Sequence, residues 1–184
     1  MNVVLKEKIR LEILGAVNQI INGIAPELFP GEGMELVCAL PGARTPDDVG
    51  SCIFFPHSSE TEKFTPIIKF NHSSLMVSGI LTALRFSPDI LCACSISYSE
   101  KLKQVADDML LELCICPAEK TPPGITTMDW AVAFCSEQNF GVPDVLLIET
   151  DGIIPTHVRL FGEKPGLVAT NLIKISHRII DATH

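Results

Sequence analysis

One short polar segment contains the side chains best suited to binding an anion. It reads Lys69-Phe70-Asn71-His72-Ser73-Ser74 and connects an apolar strand to a predicted helix. Hydroxyl groups and free backbone N–H groups at a helix N-terminus favour negative charge, because the helix dipole is positive at that end. Lys69, Asn71, His72, Ser73 and Ser74 are therefore predicted to form a phosphate-binding loop. The alternative is structural: Ser73 or Ser74 only caps the helix, and Lys69 is a solvated charge at a sheet edge.

Arg44 could contribute a second contact to such an anion. It lies in a Pro-Gly-Ala-Arg turn that follows a strand. A guanidinium on a rigid turn can hold a phosphate or a carboxylate through two parallel hydrogen bonds. An ion pair with Asp47 or Asp48, at the start of the next element, is a comparably good explanation of this residue.

Arg159 is a third candidate because it lies inside an apolar strand. A buried charge needs a partner, since taking it out of water is costly. A bound ligand would satisfy the guanidinium. A salt bridge to Asp144 or Glu149 would do so equally well.

The cysteines are expected to be reduced core residues. There are seven, an odd number, in a chain without an export signal. Cys92 and Cys94 form one Cys-x-Cys pair and Cys114 and Cys116 another, so each pair should have both thiols on one face of a strand. A four-thiolate zinc site is the less favoured alternative, because structural zinc usually has two to four residues between its ligands.

Alternating helix and strand patterns position these residues. Apolar residues recur every three or four positions in the first segment, as in an amphipathic helix. Ser99 and Thr126 are of residue types that commonly cap the start of a helix. Helices are predicted at residues 5–24, 73–86, 99–113, 126–138 and 165–180. Strands are predicted at residues 34–40, 52–55, 66–70, 90–97, 145–148 and 157–161.

Helices placed between buried strands predict a three-layer α/β/α domain with a central sheet. The chain of 184 residues is long enough for one buried core and too short for two full domains. We expect a single domain over residues 1–184, in which residues 1–30 form an N-terminal helix and a linker that pack on the rest.

Charge and hydropathy exclude some classes of partner. The net charge of −8 and the absence of a Lys/Arg-rich run argue against direct nucleic-acid binding. No apolar run approaches the roughly 20 residues that span a bilayer, and the charged start is unlike a signal peptide. A cytoplasmic protein without membrane contact is expected, and self-association into a homo-oligomer stays open.

Several motifs, in order and spacing, resemble the ThiN family, which comprises the archaeal-type thiamine-phosphate synthases and their ligand-sensing relatives. The motifs are Ala39-Leu40-Pro41-Gly42-Ala43-Arg44, the run from Gly141 to Ile148, and Val158-Arg159-Leu160-Phe161-Gly162. The resemblance extends from about Met34 to Ile175. That family joins a phosphorylated thiazole to a pyrimidine diphosphate. The resemblance implies a mixed sheet in a fold similar to that of the class II aldolases.

The resemblance also bears on the site. The family has Phe-Gly-Ala-Ser-Ser-His where this chain has residues 70–75, which favours a ligand loop there. It places a catalytic arginine at Cys52 and a catalytic histidine at Leu75, so this chain departs from it at both. His72 is three residues too early to replace the histidine. The five histidines lack the clustering that holds the catalytic metal of the aldolases, so no metal site is expected.

Three functions remain after these departures. The first is a domain that binds thiamine phosphate or a phosphorylated thiamine precursor without full catalytic activity. The second is an active synthase, the only case in which Mg²⁺ is implied; no permanently bound cofactor is expected. The third is a protein-interaction scaffold that has lost the ligand. The first is favoured, because losing one charge-stabilising contact typically raises a barrier by a few kcal/mol, whereas binding one phosphate is less demanding.

Overall fold

Five α-helices and seven strands alternate along the part of the chain that the structure describes, which is residues 2–57, 65–152 and 156–183 of a computed structural model. Met1 and His184, the ends of the predicted domain, lie outside it. The helices are α1 (Asn2–Gly23), α2 (Leu75–Phe86), α3 (Leu102–Asp108), α4 (Thr127–Gln138) and α5 (Pro165–Thr183). None of these helices is long and apolar enough to cross a bilayer.

The strands form one mixed sheet, as the resemblance implied. They are β1 (Met34–Ala39), β2 (Val49–Phe54), β3 (Ile68–Phe70), β4 (Cys92–Ile96), β5 (Leu113–Pro117), β6 (Val145–Glu149) and β7 (His157–Gly162). Their order is β3-β2-β1-β4-β7-β6-β5. Only β5 and β6 pair in parallel, and the other neighbours are antiparallel.

Helices cover both faces of the sheet and bury a separate apolar cluster on each. We call the side that packs against α1, α3 and α5 the α1 face, and the side that packs against α2 and α4 the α2 face. Leu36 and Cys38 of β1 point to the α1 face, whereas Val37 and Ala39 point to the α2 face. This alternation follows from the two-residue period of a strand. The predicted three-layer α/β/α fold is therefore confirmed.

Local capping explains where two of the helices begin. The Ser74 hydroxyl accepts a hydrogen bond from the Val77 backbone N–H at 3.1 Å, which caps α2. The Thr126 hydroxyl accepts one from the Asp129 N–H at 3.1 Å, which caps α4 as predicted. Each cap satisfies one of the four backbone donors that a helix leaves free at its start.

The prediction for α3 was wrong at both ends. The helix begins at Leu102, not after Ser99, and it ends at Asp108 although the apolar pattern continues to Leu113. Leu110 adopts a left-handed backbone with φ of 58°. The Leu111 N–H bonds to the Ala106 carbonyl and the Leu110 N–H to that of Asp107. This pair of bonds is a Schellman motif, which usually contains glycine, so a leucine gives no signal of it in the sequence.

Leu110 is suited to a stability test because its side chain is 91% exposed, so replacing it removes little packing. Replacing Leu110 with Gly should raise the free energy of unfolding by about 0.5–1 kcal/mol, since glycine adopts positive φ without a Cβ clash. Chemical denaturation of both proteins measures the change. Leu110→Ala, which keeps the strain, is the control; a glycine variant no more stable than the alanine variant would contradict this account.

The expectation of seven reduced cysteines was also wrong. Cys114 of β5 is disulfide-bonded to Cys135 of α4, with the Cα atoms 5.9 Å apart. The other five cysteines are free and buried. Residues 114 and 135 come together only because α4 packs over β5, so strand spacing could not reveal the pair. A site of four converging thiolates is not formed either, because Cys92 and Cys94 point to the α1 face and Cys116 to the α2 face.

Candidate functional site

Five polar side chains meet on the α2 face of the sheet, beside the N-terminus of α2. We call them the Glu35 cluster: Glu35 of β1, Ser51 of β2, the α2 cap Ser74, Ser95 of β4 and Arg159 of β7. Each strand residue is two positions from an apolar residue that packs against α2 or α4, so the four strand residues share that face of the sheet. Three of them, Ser51, Ser95 and Arg159, are buried.

Hydrogen bonds hold the Glu35 carboxylate at the centre of the cluster. Its Oε1 accepts from Ser51 Oγ at 2.8 Å and from Ser74 Oγ at 2.7 Å. The Glu35 backbone N–H donates to Ser95 Oγ at 2.9 Å. The carboxylate thus lies at the positive end of the α2 dipole, where negative charge is stabilised. The Ser74 hydroxyl is used twice inside the protein, as a cap and as a donor to Glu35.

Arg159 is the buried cation of the cluster, with 9% of its surface exposed. Its Nη1 donates to the Val158 carbonyl at 3.1 Å, but its Nε has no hydrogen-bond partner. Burial lowers the pKa of the guanidinium, and the carboxylates of Glu32 and Glu35 act in the opposite direction. An arginine still remains charged at neutral pH. A buried cation with an unused donor is suited to receive an anionic oxygen from a ligand.

The two carboxylates proposed as partners of Arg159 are occupied elsewhere. Glu149 forms an ion pair with Lys103, with 3.4 Å between Oε1 and Nζ. Asp144 Oδ2 accepts the Glu112 backbone N–H at 2.8 Å. The acidic side chains that act on Arg159 come instead from β1 and the turn before it, which are distant in sequence.

Lys69 and His72 lie on the other side of Glu35 from Arg159. Together with Ser51 they line a small pocket of about 190 Å³. Lys69 of β3 and Arg159 of β7 are separated by four strand spacings, which places their backbones about 20 Å apart. A phosphate group bound at one of these residues therefore lies far from the backbone of the other. The candidate site has a cation at each end and a carboxylate between them.

The rest of the predicted loop forms a tight turn. Asn71 has φ of 60°, a left-handed conformation that asparagine tolerates better than most residues. Its backbone N–H donates to the Pro46 carbonyl at 3.0 Å. Ser73 is exposed. The turn carries the chain from the end of β3 to the cap of α2 and leaves the Ser73 hydroxyl accessible from solvent.

Arg44 is not part of the Glu35 cluster. It lines a separate cavity of about 580 Å³ together with Arg85, near the C-terminal end of α2. Ser74 at the other end of this helix contacts Glu35. The backbone N–H of Arg44 is 3.4 Å from Asp48 Oδ2. None of the other predicted site residues lines this cavity, although Asn71 bonds to Pro46, two residues after Arg44.

The two positions at which the family resemblance places catalytic groups differ in their surroundings. Cys52 is fully buried on the α1 face, so a side chain at this position points away from the Glu35 cluster. Leu75, the first residue of α2, is 55% exposed and next to Ser74. A histidine at position 75 could reach the site, whereas an arginine at position 52 could not.

Sequence reasoning missed three members of the cluster, Glu35, Ser51 and Ser95. Glu35 is a single charge within the apolar run from Met34 to Leu40. The argument that selected Arg159, namely that a charge inside a buried strand needs a partner, applies equally to Glu35. Ser51 gave no comparable signal, since a serine in a strand is common.

The sheet order and the two helical layers define a three-layer α/β/α domain with a mixed sheet. The described residues contain no group of three or more His, Cys, Asp or Glu side chains that could hold a metal ion. The sequence profile of the thiamine-phosphate synthase ThiN matches residues 12–174. The chain therefore belongs to the ThiN family.

One curated relative and three solved structures show the extent of the similarity. The bifunctional thiamine biosynthesis protein ThiDN of Methanocaldococcus jannaschii is 30% identical over 79 residues, which are 43% of this chain and 19% of that protein. The chain thus spans a small part of that relative's length. The C-terminal domain of protein MJ0236 has a TM-score of 0.84 and 22% identity, covering 97% of this chain and 98% of that domain.

The other two structures have lower sequence identity. The C-terminal domain of a phosphomethylpyrimidine kinase has a TM-score of 0.79 and 20% identity, covering 92% of this chain and 99% of that one. A sugar-phosphate aldolase from Thermotoga maritima has a TM-score of 0.51 and 12% identity, covering 97% and 96%. At these identities the structures establish the fold alone, and they include an aldolase as the resemblance implied.

Proposed function

We propose that this domain binds thiamine phosphate or a phosphorylated precursor of it, without full synthase activity. The observation that carries the proposal is the Arg159 guanidinium, which is buried on the α2 face with an Nε that lacks a hydrogen-bond partner. A phosphate oxygen is a strong acceptor for such a donor. Membership of the ThiN family supplies the class of ligand.

The charges of the site complement those of thiamine phosphate. Its thiazolium ring is cationic and its phosphate is anionic. Arg159 would receive the phosphate, and the Glu35 carboxylate, held by Ser51 and Ser74, would lie against the thiazolium. The Glu35 carboxylate would repel a ligand that carries only negative charge. Its presence therefore favours a ligand with both a positive and a negative group.

Weak or absent catalysis is proposed because few cations can reach one diphosphate. Joining the two precursors expels diphosphate, and the charge that grows on this leaving group needs several positive groups. Arg44 and Arg85 line the separate cavity near the C-terminal end of α2. Leu75 stands where the resemblance places a catalytic histidine. Within residues 2–57, 65–152 and 156–183, the remaining cation near the cluster is Lys69, which is exposed and distant from Arg159.

Titration calorimetry tests the binding proposal directly. The protein is titrated with thiamine phosphate, with thiazole phosphate and with hydroxymethylpyrimidine diphosphate. Micromolar affinity for at least one of them, about 8 kcal/mol, is expected. No heat of binding with any of the three would refute the proposal and leave the scaffold hypothesis.

The second candidate function is that of an active synthase, and the orientation of Cys52 supports it. Cys52 points to the α1 face, so the loss of an arginine at this position does not by itself remove a group from the site. Incubation of the protein with both precursors and Mg²⁺ decides between the two. Thiamine phosphate formed at an enzyme-like rate would establish the synthase and refute the non-catalytic proposal.

Neutralising the central carboxylate should change ligand preference. Glu35→Gln is expected to weaken thiamine phosphate binding by about tenfold, because a charge-assisted contact with the thiazolium is lost. Binding of thiazole phosphate, whose ring is neutral, should be unchanged or tighter. Calorimetry with both ligands measures this difference.

Glu12→Gln provides the matched control for net charge. Glu12 belongs to α1 and lines a cavity on the α1 face, away from the cluster. Its replacement should leave both affinities within about twofold, since exposed charges beyond a Debye length are largely screened. Equal weakening of both ligands by Glu35→Gln would contradict the assignment of Glu35 to the thiazolium.

A further inference from the structure

Two cysteines face each other across the sheet on the α1 face, away from the Glu35 cluster. Cys38 of β1 and Cys92 of β4 are paired residues in the antiparallel register. Each is only 1% exposed. Their Sγ atoms are 2.7 Å apart, with the Cys38 thiol donating to Cys92. Nonbonded heavy atoms attract best at roughly 3.5–4.0 Å, and a disulfide bond is about 2.05 Å long, so this separation lies between contact and bond.

The backbone register at this point suits a cross-strand disulfide. The Ala39 N–H donates to the Leu91 carbonyl at 2.8 Å, so the adjacent residue pair is a hydrogen-bonded one. Pairs alternate in type along an antiparallel ladder, which makes Cys38 and Cys92 a non-hydrogen-bonded pair with Cα atoms about 4.5 Å apart. That spacing lies within the range of about 4.4–6.8 Å that disulfides require.

A cavity of about 230 Å³ lies against the two cysteines. It is bounded by α1, by the end of β1, by the start of β4 and by the start of α5, and both cysteines are among its lining residues. The charged residues that line it are Lys8, Glu12, Glu163 and Lys164. The two signs balance, so the cavity does not favour an anionic or a cationic reagent. A small neutral molecule is the reagent that fits this environment best.

We propose that Cys38 and Cys92 are an oxidisable dithiol that becomes a second, cross-strand disulfide when a small neutral peroxide enters this cavity. One sulfur, after losing its proton, attacks the O–O bond of hydrogen peroxide and becomes a sulfenic acid; the departing hydroxide takes up that proton as water. The second sulfur then displaces the sulfenic hydroxyl, which leaves with the second thiol proton as another water. Two thiols and one peroxide thus give one disulfide and two water molecules.

The reaction should be slower than that of an exposed thiol. Burial is the main cause that raises the pKa of Cys38, followed by the contact with Cys92. The thiolate, which is the reactive form, is therefore scarce. Cys94 shares the α1 face, but its thiol lies 3.8 Å from the Ser95 carbonyl, to which it donates. Paired register and the 2.7 Å contact select Cys92 over Cys94 as the partner of Cys38.

Thiol mapping after peroxide treatment tests this proposal on the whole protein. Samples are treated with hydrogen peroxide, alkylated under denaturing conditions and analysed by peptide mass spectrometry. The five free thiols should fall to three, with one new cross-linked peptide pair that contains Cys38 and Cys92. Dithiothreitol should restore the lost thiols.

Two variants resolve which cysteine of β4 reacts. Cys94→Ala should still form the cross-link to Cys38, whereas Cys92→Ala should form none. The thiol map of the wild-type protein is sufficient to test the proposal, so the result stands even if a variant folds poorly. Cys38 and Cys92 both still alkylated after peroxide treatment, a cross-link to Cys94, or irreversible oxidation of one sulfur alone would each overturn the proposal.

Discussion

Replacing Arg159 with Met is expected to weaken the binding of thiamine phosphate by about 100-fold. Hydrogen bonds to a charged group contribute roughly 1.5–3 kcal/mol, and each 1.4 kcal/mol is a factor of ten in affinity. Arg159 combines burial with an unused Nε donor, so its contact with a phosphate would be little weakened by water. Calorimetry with thiamine phosphate measures the loss. Arg159→Lys, which keeps the charge but not the forked donors, should lose less.

The same variant separates a binding role from a structural one. Methionine fills a similar volume, and it removes the cost of keeping a cation out of water at this position. The melting temperature of Arg159→Met should therefore equal or exceed that of the wild type. A variant that binds normally, or one that loses binding only because it unfolds, would contradict the role assigned to Arg159.

Arg44→Met is the matched control for this experiment. Arg44 is exposed and lines the cavity near the C-terminal end of α2. Its replacement should change the affinity for thiamine phosphate by no more than about twofold, because exposed charges contribute little to a distant site. A large loss of affinity in this variant would instead indicate that the phosphate binds in the cavity lined by Arg44.

Removing the disulfide between β5 and α4 should lower the free energy of unfolding by about 3 kcal/mol. The two cysteines are 21 residues apart, and closing a loop of this length restricts the unfolded chain by about that amount. The total free energy of unfolding of such a domain is only about 5–15 kcal/mol, so the loss is substantial. Urea denaturation of Cys135→Ala measures it.

A double-mutant cycle shows whether the bond itself is responsible. Cys114→Ala and Cys135→Ala remove the same bond, so the double variant should be scarcely less stable than either single one. Dithiothreitol should destabilise the wild type by a similar amount. Additive losses, or a wild type whose unfolding is unaffected by reductant, would show that the bond contributes little.

Much of the fold could be read from the chain because its signals are local. The apolar stripe of α1, the buried run of β4 and the Thr126 cap each depend on residues within a few positions of one another. The mixed nature of the sheet came from the family resemblance and not from periodicity. The end of α3 was missed because Leu110 takes a backbone conformation usually given to glycine.

The site was less predictable than the elements that carry it. Arg159 could be singled out because a lone cation in an apolar strand signals an unusual environment, and its role as a ligand contact stays a prediction. The same reasoning placed Arg44 with the phosphate loop, whereas Arg44 lines a cavity together with Arg85 near the C-terminal end of α2. It left open whether Ser74 binds a ligand or only caps the helix; the Ser74 hydroxyl caps α2 and also bonds Glu35.

Periodicity, caps and motif order along the chain thus determined the layers, the identity of most helices and strands, and the family. Tertiary structure alone decided that residues 35, 51, 74, 95 and 159 meet, and that Cys114 reaches Cys135. The physical reason is the sheet order, β3-β2-β1-β4-β7-β6-β5, which places side chains from distant segments within hydrogen-bonding reach. Local backbone preferences carry no information about such neighbours, because strand pairing is set by the packing of the whole core.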